Sequence, residues 1–178
     1  MNFAEPEKII EVLDIIPGLS AVDFGCGAGF YTIALARACG SQGKVYALDI
    51  RKEMLEMVRS KARTFRLTNI ETFWTDLEKP HASNLKDQSM DIAIISNVLF
   101  QIENKENLAS EAARILKPAG KLLLVEWAEE ERPIGPPIKF RINRNEAESL
   151  FLKANLILDR EISAGEHHYG LLFKKSVH

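Results

Sequence analysis

Short apolar runs alternate along this chain with segments of helical spacing, and this alternation restricts the fold more than any other feature. We predict strands near residues 20–24, 43–49, 70–75, 91–96 and 121–127. Three of these runs are almost continuously apolar, as strands buried on both faces are. Strands that alternate with helices are joined by right-handed crossovers and form a mostly parallel sheet. The sequence therefore predicts an α/β chain with a doubly wound sheet and helices on both faces.

The end of the chain has a different pattern. We predict a helix over residues 143–154 and two strands, 156–162 and 167–175, that form an antiparallel hairpin at the sheet edge. The proline-rich segment 129–139 is predicted to be a loop, and residues 1–178 a single domain, since 46% of the chain is hydrophobic. The remaining helices are predicted near residues 5–16, 30–39, 51–65 and 104–116.

Three glycines, Gly25, Gly27 and Gly29, lie in the turn between the first strand and the helix that follows it, in the stretch AVDFGCGAGFYT. Such a turn lets a ligand approach the backbone, and the free N–H groups at the helix start add positive potential. The dinucleotide fingerprint G-x-G-x-x-G would need a glycine at Phe30, which disfavours a pyrophosphate ligand. Asp23, two residues before the first glycine, suits a cationic ligand instead.

Polar residues stand at the ends of the later strands. Asp49 follows the glycines by about 20 residues, where a carboxylate can accept hydrogen bonds from ribose hydroxyls. Asp76 ends the third strand, where it can accept a hydrogen bond from an adenine amine. Asn97 ends the fourth strand, and Glu126 and Trp127 end the fifth. Open α/β sheets bind ligands at the carboxyl ends of their strands, so the pattern predicts a nucleoside site.

At this point the sequence resembles the class I S-adenosylmethionine-dependent methyltransferases, specifically the type 11 and ubiquinone/menaquinone-biosynthesis groups. The segments VDFGCGAGFYT, VYALDI, TDLEK, MDIAIISNVLFQI and ILKPAGKLLLVEW resemble five family motifs in order. The resemblance covers about residues 5–175. It implies a Rossmann-like, seven-stranded sheet whose last strand is antiparallel, and S-adenosylmethionine as cofactor.

The resemblance also implies where the cofactor lies: its ribose on Asp49, its adenine near Asp76 and Leu77, and its methionine end along Gly25 to Gly29. No catalytic residue is assigned, because relatives often carry a histidine after the fourth strand where this chain has Phe100-Gln101. The expected cofactor-binding residues are Asp23, Gly25, Cys26, Gly27, Gly29, Asp49, Ile50, Thr75, Asp76, Leu77 and Asn97. The candidates for the acceptor pocket are Tyr31, Phe100, Glu126 and Trp127, with segment 129–139 as a hypothetical lid.

Several kinds of ligand and location are disfavoured. The net charge of −2 provides no basic field for nucleic acid or an anionic membrane. We find neither a signal-peptide pattern nor an apolar run of about 20 residues, so we expect a cytoplasmic protein without a membrane span. The consecutive His167 and His168 would point to opposite faces of a strand, so we expect no metal.

The sequence thus predicts an enzyme that transfers a methyl group from S-adenosylmethionine to a small-molecule acceptor, with a homo-oligomer possible. The alternative is a regulatory or partner protein that binds S-adenosylmethionine without transferring its methyl group. A protein or RNA methyltransferase is disfavoured by the near-neutral charge and by the small size of the chain. The Asn-Pro-Pro-Tyr signature of adenine and glutamine methyltransferases is absent after Asn97, and the cysteines of arsenite methyltransferases are missing.

Overall fold

A computed structural model describes residues 5–130 and 134–177. The strands, numbered in chain order, are β1 Ser20–Phe24, β2 Lys44–Asp49, β3 Ile70–Trp74, β4 Met90–Ser96, β5 Leu116–Trp127, β6 Leu156–Ser163 and β7 His168–Lys175. The α-helices are α1 Pro6–Ile9, α2 Phe30–Cys39, α3 Lys52–Thr64, α4 Lys105–Ile115 and α5 Arg144–Lys153. Short 3₁₀ turns cover Ile10–Leu13, Leu99–Gln101 and Ile138–Phe140.

These strands form one sheet in the order β3-β2-β1-β4-β5-β7-β6. Strands β1 to β5 pair in parallel, while β7 is antiparallel to both of its neighbours, β5 and β6. The predicted α/β doubly wound fold with an antiparallel last strand is therefore confirmed. The strand order reverses between β1 and β4, and a doubly wound sheet opens a crevice at the carboxyl ends of the strands at such a point.

The sheet has a buried core on each face because its central strands alternate their side chains between the two faces. In β1, Ala21 packs in the core beneath α1 and α2, whereas Val22 and Phe24 pack in the core with α4 and α5. Asp23 therefore faces the α1 and α2 side of the sheet. No helix in the described ranges is long and apolar enough to cross a membrane.

Two elements differ from their predicted bounds by more than one residue at an end. The helix predicted over 5–16 is a single α-turn followed by a 3₁₀ turn, and it ends at Asp14, which has the left-handed φ of 52°. The ammonium group of Lys121 stabilises this early end by donating to the Leu13 carbonyl at 2.8 Å and to the Asp14 carboxylate at 3.0 Å. Strand β5 begins at Leu116 rather than 121, because Leu116 already pairs with Met90 before residues 117–120 loop out of the ladder.

Candidate active site

The glycines of the turn after β1 have different structural roles. A Cβ added to Gly29 would lie 2.7 Å from Cγ2 of Val58, so this glycine allows α2 to pack closely on α3. A Cβ added to Gly27, whose φ is +48°, would meet only the Arg51 guanidinium, at 3.9 Å. The backbone at Gly27 is therefore open to a ligand, whereas that at Gly29 is covered by protein.

Asp49 at the end of β2 is tied to this turn. Its side chain is buried, Oδ2 accepts the Gly27 N–H at 2.9 Å, and Oδ1 accepts the Arg51 N–H at 2.8 Å. The Arg51 guanidinium also donates to Oδ1 through Nε at 3.3 Å. Because Asp49 bonds directly to Gly27, the carboxylate and the open part of the turn are fixed relative to each other.

Two connected clefts open along the carboxyl ends of the strands. The smaller has a volume of about 260 Å³ and is lined by Asp49 together with Ile50, Asp76 and Leu77. The larger, which we call the main cavity, has a volume of about 630 Å³. The two clefts meet at residues that line both of them: Gly25, Arg51 and Gln101. The main cavity is also lined by Asp23, Cys26, Gly27, Tyr31, Ser96, Asn97, Val125 and His168, and its rim by Glu5 and Glu7.

Burial controls the ionisation of the groups in the main cavity. Desolvation raises the pKa of Asp23 to about 6, against a hydrogen bond of 2.6 Å from the Thr32 hydroxyl that favours the carboxylate. Desolvation likewise raises the pKa of Tyr31 to about 12, so the phenol stays neutral at pH 7. It also raises the pKa of Cys26, which makes this thiol an inert part of the wall. A cation bound in front of Asp23 would favour its charged form.

Asn97 contributes a strained residue and an unpaired oxygen to the cavity wall. Its φ is 57°, a left-handed conformation, and Gln101 Nε2 donates to its carbonyl at 2.8 Å. The side-chain oxygen Oδ1 is buried without a hydrogen-bond partner. A buried acceptor of this kind costs about 1–3 kcal/mol when unsatisfied, which favours a ligand that carries donors.

Several expected site residues lie outside the main cavity. Phe100 faces a neighbouring groove, and Glu126 lies on the opposite face of the sheet, where its carboxylate accepts the Val98 and Leu99 N–H groups at 2.8 and 2.7 Å. Trp127 packs against His168 instead of lining the cavity. Thr75 is turned away and donates to the Ala82 carbonyl at 2.5 Å.

Other residues in these clefts were not expected from the sequence. Arg51 and Gln101 stand where the two clefts meet, and His168 enters the main cavity from β7. The clue for His168 was its place at the start of a strand that runs antiparallel to its neighbours. Such a strand begins at the edge where the parallel strands end. The described residues hold no cluster of three or more histidine, cysteine or acidic side chains that would suit a metal ion.

The fold and this arrangement define a class: a doubly wound sheet with one cleft after β2 and β3 and a second cavity at the switch point. Comparison with known proteins gives the same class. Residues 15–164 match the model of a family described as a methyltransferase domain. The crystal structure of a SAM-dependent methyltransferase from Aquifex aeolicus superposes with a TM-score of 0.87 and 27% identity, covering 97% of this chain and 90% of that one.

Two further similarities are informative. The chain is 31% identical over 124 residues to demethylmenaquinone methyltransferase of Bacillus mycoides, covering 69% of this chain and 51% of that protein. It thus spans about half the length of the curated relatives it matches. A Sulfolobus solfataricus protein assigned to the type 11 methyltransferases superposes with a TM-score of 0.78 and 25% identity, covering 98% of this chain and 94% of that one.

The chain belongs to the methyltransferase-domain family, within the class I S-adenosylmethionine-dependent methyltransferases. The predicted family and its cofactor, S-adenosylmethionine, are thereby confirmed.

Proposed function

We propose that this protein transfers the methyl group of S-adenosylmethionine to a small-molecule acceptor. The observation that carries the proposal is the pair of connected clefts, with the Asp49 carboxylate in one and the Asp23 carboxylate in the other. A nucleoside with a cationic tail fits this arrangement: the Asp49 carboxylate can accept hydrogen bonds from the ribose at one end, and the buried Asp23 carboxylate can face the positive charge at the other.

The cofactor would lie across the junction between the clefts. Asp49 would hold the ribose, and Asp76 and the Leu77 backbone the adenine. Gly25 and Gly27 of the turn would hold the methionine end near Asp23, whereas Gly29, expected there from the sequence, is covered by Val58. Ribose hydroxyls would replace the Arg51 guanidinium on Asp49, because that contact is 3.3 Å long and the Arg51 side chain is half exposed. The open backbone at Gly27 and the unpaired oxygen of Asn97 support the fit.

Alignment of the acceptor supplies a large part of catalysis. Bound S-adenosylmethionine supplies a methyl group already activated on a sulfonium. The protein then has to orient the acceptor in line with that carbon and keep water away, which the enclosed wall of Tyr31, Asn97 and Val125 would do. We infer that the acceptor occupies the part of the main cavity beyond Gly25, under the Glu5 and Glu7 rim.

The acceptor would be small, as the volume of about 630 Å³ also has to hold the methionine end of the cofactor. Demethylmenaquinone with a short side chain, in its reduced form, is the first acceptor to test, since the Bacillus mycoides relative is named for demethylmenaquinone. Segment 129–139 is proposed as a lid; its residues 131–133, which include Pro133, lie outside the described residues. Its described part is held by Arg141, which donates to the carbonyls of Ala128 and Pro136 at 2.6 and 2.9 Å.

The alternative, a protein that binds S-adenosylmethionine without transfer, is favoured by one observation. Phe100 stands where relatives often carry a histidine, and Glu126 does not reach the main cavity, which leaves few side chains that could act as a base. A location in the cytoplasm, a homo-oligomeric state and the absence of nucleic-acid partners remain predictions. Turnover of any acceptor distinguishes the two functions.

Calorimetric titration tests the cofactor site. S-adenosylmethionine and S-adenosylhomocysteine are titrated into wild type, Asp49→Ala and Asp14→Asn, with NADH as the negative-control ligand. Asp14 is a matched control because its carboxylate lies far from both clefts, on Lys121. We expect binding by wild type and Asp14→Asn and its loss in Asp49→Ala. Absence of binding by folded wild-type protein would contradict the proposed function.

A further inference from the structure

His168 lines the main cavity. From the sequence it was a candidate only for binding a metal, which we do not expect. It begins β7, the antiparallel strand, and pairs with Trp127 at the end of β5. Cross-strand neighbours point to the same face of a sheet, and this is the face of Asp23, Ser96 and Val125. The imidazole is therefore brought to the cavity by the reversed direction of a single strand.

The orientation of this ring is fixed by its neighbours. The centroids of the imidazole and the Trp127 ring are 4.4 Å apart, with the planes inclined by 36°. The indole is covered in turn by the backbone of Gly135, where an added Cβ would come within 2.6 Å of it, and by the Arg141 guanidinium at 5.8 Å. Trp127 is thus a positioning residue for His168 rather than part of the acceptor pocket.

The imidazole has an unused polar atom. Nε2 of His168 is buried and has no hydrogen-bond partner, and the same is true of Oδ1 of Asn97, which lines the same cavity. Buried polar atoms in native proteins are nearly always paired, and exceptions call for an explanation such as a catalytic role. Two unpaired atoms around one cavity indicate a ligand that brings donors to them.

We propose that Nε2 of His168 takes the proton from a hydroxyl group of the methyl acceptor during transfer, which makes His168 the general base of this enzyme. The proposal rests on the function proposed above and adds the class of acceptor: a phenol, an enol or a hydroquinone. The acceptor O–H bond breaks with its electron pair left on the acceptor, and the proton goes to Nε2. The nucleophilic atom is the deprotonated oxygen or a ring carbon conjugated with it; it bonds to the methyl carbon, and the carbon–sulfur bond breaks with its pair left on sulfur. A ring carbon then loses its own C–H proton to solvent, its electron pair returns to the ring, and the oxygen regains a proton.

The electrostatics of the cavity set a condition on this step. Burial lowers the pKa of His168 to about 4, and the neighbouring His167 and Arg141 act in the same direction, so the ring is neutral at pH 7 and its imidazolium form needs negative charge nearby. Methyl transfer removes the positive charge of the sulfonium as His168 gains one, so the net charge of the cavity is unchanged. Asp23 within the cavity and Glu5 and Glu7 at its rim favour the imidazolium that results.

The tautomer of His168 can be measured without turnover. Long-range ¹H–¹⁵N correlation spectra of wild type with S-adenosylhomocysteine, at pH 7, report which ring nitrogen carries the proton, and the His168→Gln spectrum assigns the signal. We expect an unprotonated Nε2, with the proton on Nδ1. A protonated Nε2 overturns the proposal, whatever the activity.

Kinetics test the role directly, with reduced demethylmenaquinone and a set of simple phenols as acceptors. General bases contribute about 10²–10⁴-fold, and we expect His168→Gln and His168→Phe to lower kcat at least about 100-fold with unchanged calorimetric affinity for S-adenosylmethionine. His168→Phe keeps the packing on Trp127, and His167→Gln is the matched control, expected to keep wild-type kcat. A His168→Gln variant with normal kcat overturns the proposal, while loss of cofactor binding by wild type would contradict the proposed function instead.

Discussion

The two halves of the site are built in different ways. In the half formed by β1 to β3, the Asp49 carboxylate accepts a hydrogen bond from the Gly27 N–H. The two residues belong to consecutive strand-turn-helix units of the chain. In the β5 to β7 half, Trp127 and His168 are neighbours only because β7 is inserted beside β5 in the opposite direction. The first half depends on local sequence, whereas the second depends on pairing between distant segments.

This difference explains why the cofactor half could be recognised in the sequence, whereas His168 in the other half could not. A glycine turn and an acidic residue at a strand end can be recognised along the chain. A side chain contributed by an antiparallel partner depends on strand register, which single-residue patterns do not reveal.

The largest effect is expected at Asp49. Asp49→Asn should weaken S-adenosylmethionine binding roughly 100-fold, because a buried carboxylate makes charge-assisted hydrogen bonds of about 1.5–3 kcal/mol each. Asp76→Asn should cost only about tenfold, since its side chain is one-third exposed and solvent screens it. Calorimetry measures both; equal losses would show that the cofactor half does not depend on Asp49 as argued.

The next effect concerns Glu126 on the opposite face of the sheet. Burial raises the pKa of its carboxyl from 4.5 to about 7, against the Val98 and Leu99 N–H groups that favour the carboxylate. A raised pKa means that the folded state binds the proton more tightly than the unfolded one. The stabilisation is therefore complete below pH 4.5 and is lost as the pH rises towards 7, by on the order of 3 kcal/mol.

Glu126→Gln should remove this loss, because the neutral amide oxygen can accept both N–H groups at every pH. Urea unfolding at pH 5 and pH 8 measures it as the difference between variant and wild type, with the exposed Glu161→Gln as control. Asp23 and His168 also make stability depend on pH, Asp23 in the same direction as Glu126 and His168 in the opposite direction. Both contributions are present in variant and wild type, so the difference between the two proteins measures Glu126 alone. A pH dependence equal to that of wild type would contradict the burial argument.

The third effect separates two glycines of the cofactor half. Gly29→Ala should lower the free energy of unfolding by about 2 kcal/mol, because its Cβ would overlap Val58 and its φ is +81°. Gly27→Ala should cost about half as much in stability, since the space at that position is open, but should weaken cofactor binding more. Val58→Ala should partly restore Gly29→Ala in urea unfolding; the absence of any restoration would show that the contact with α3 is not the cause.

The smallest effect is expected in the segment proposed as a lid. Arg141→Lys should lower global stability by about 1 kcal/mol or less, since one ammonium cannot replace the planar guanidinium that donates to several carbonyls of this segment. Limited proteolysis should nevertheless cleave between residues 128 and 141 faster than in wild type. Arg144→Lys is the control, and equal cleavage rates in the two variants would remove the support for Arg141 as the residue that holds the segment.

Much of this architecture could be predicted from the sequence. The predicted strand 20–24 coincides with β1, and Asp49, Asp76, Asn97 and the glycine turn meet at the carboxyl edge as expected. These features depend on strand ends and turns, which are local properties of a chain.

The predictions that were wrong also have physical explanations. Glu126 and Trp127 were both expected in the acceptor pocket, although consecutive residues of a strand face opposite sides of the sheet. His168 was missed because its place depends on the pairing of β7 with β5. The early end of the first helix depends on Lys121, more than 100 residues away in sequence.

The position of β7 also determines when the site can exist during synthesis. Strand β6 is translated before β7, but its only partner in the described sheet is β7, so it has no ladder to join until β7 has emerged. Every other residue that we assign to the site precedes His168 in the chain. A nascent chain on the ribosome could therefore form the cofactor clefts while the proton acceptor is still missing, and its catalytic competence would come with the last strand.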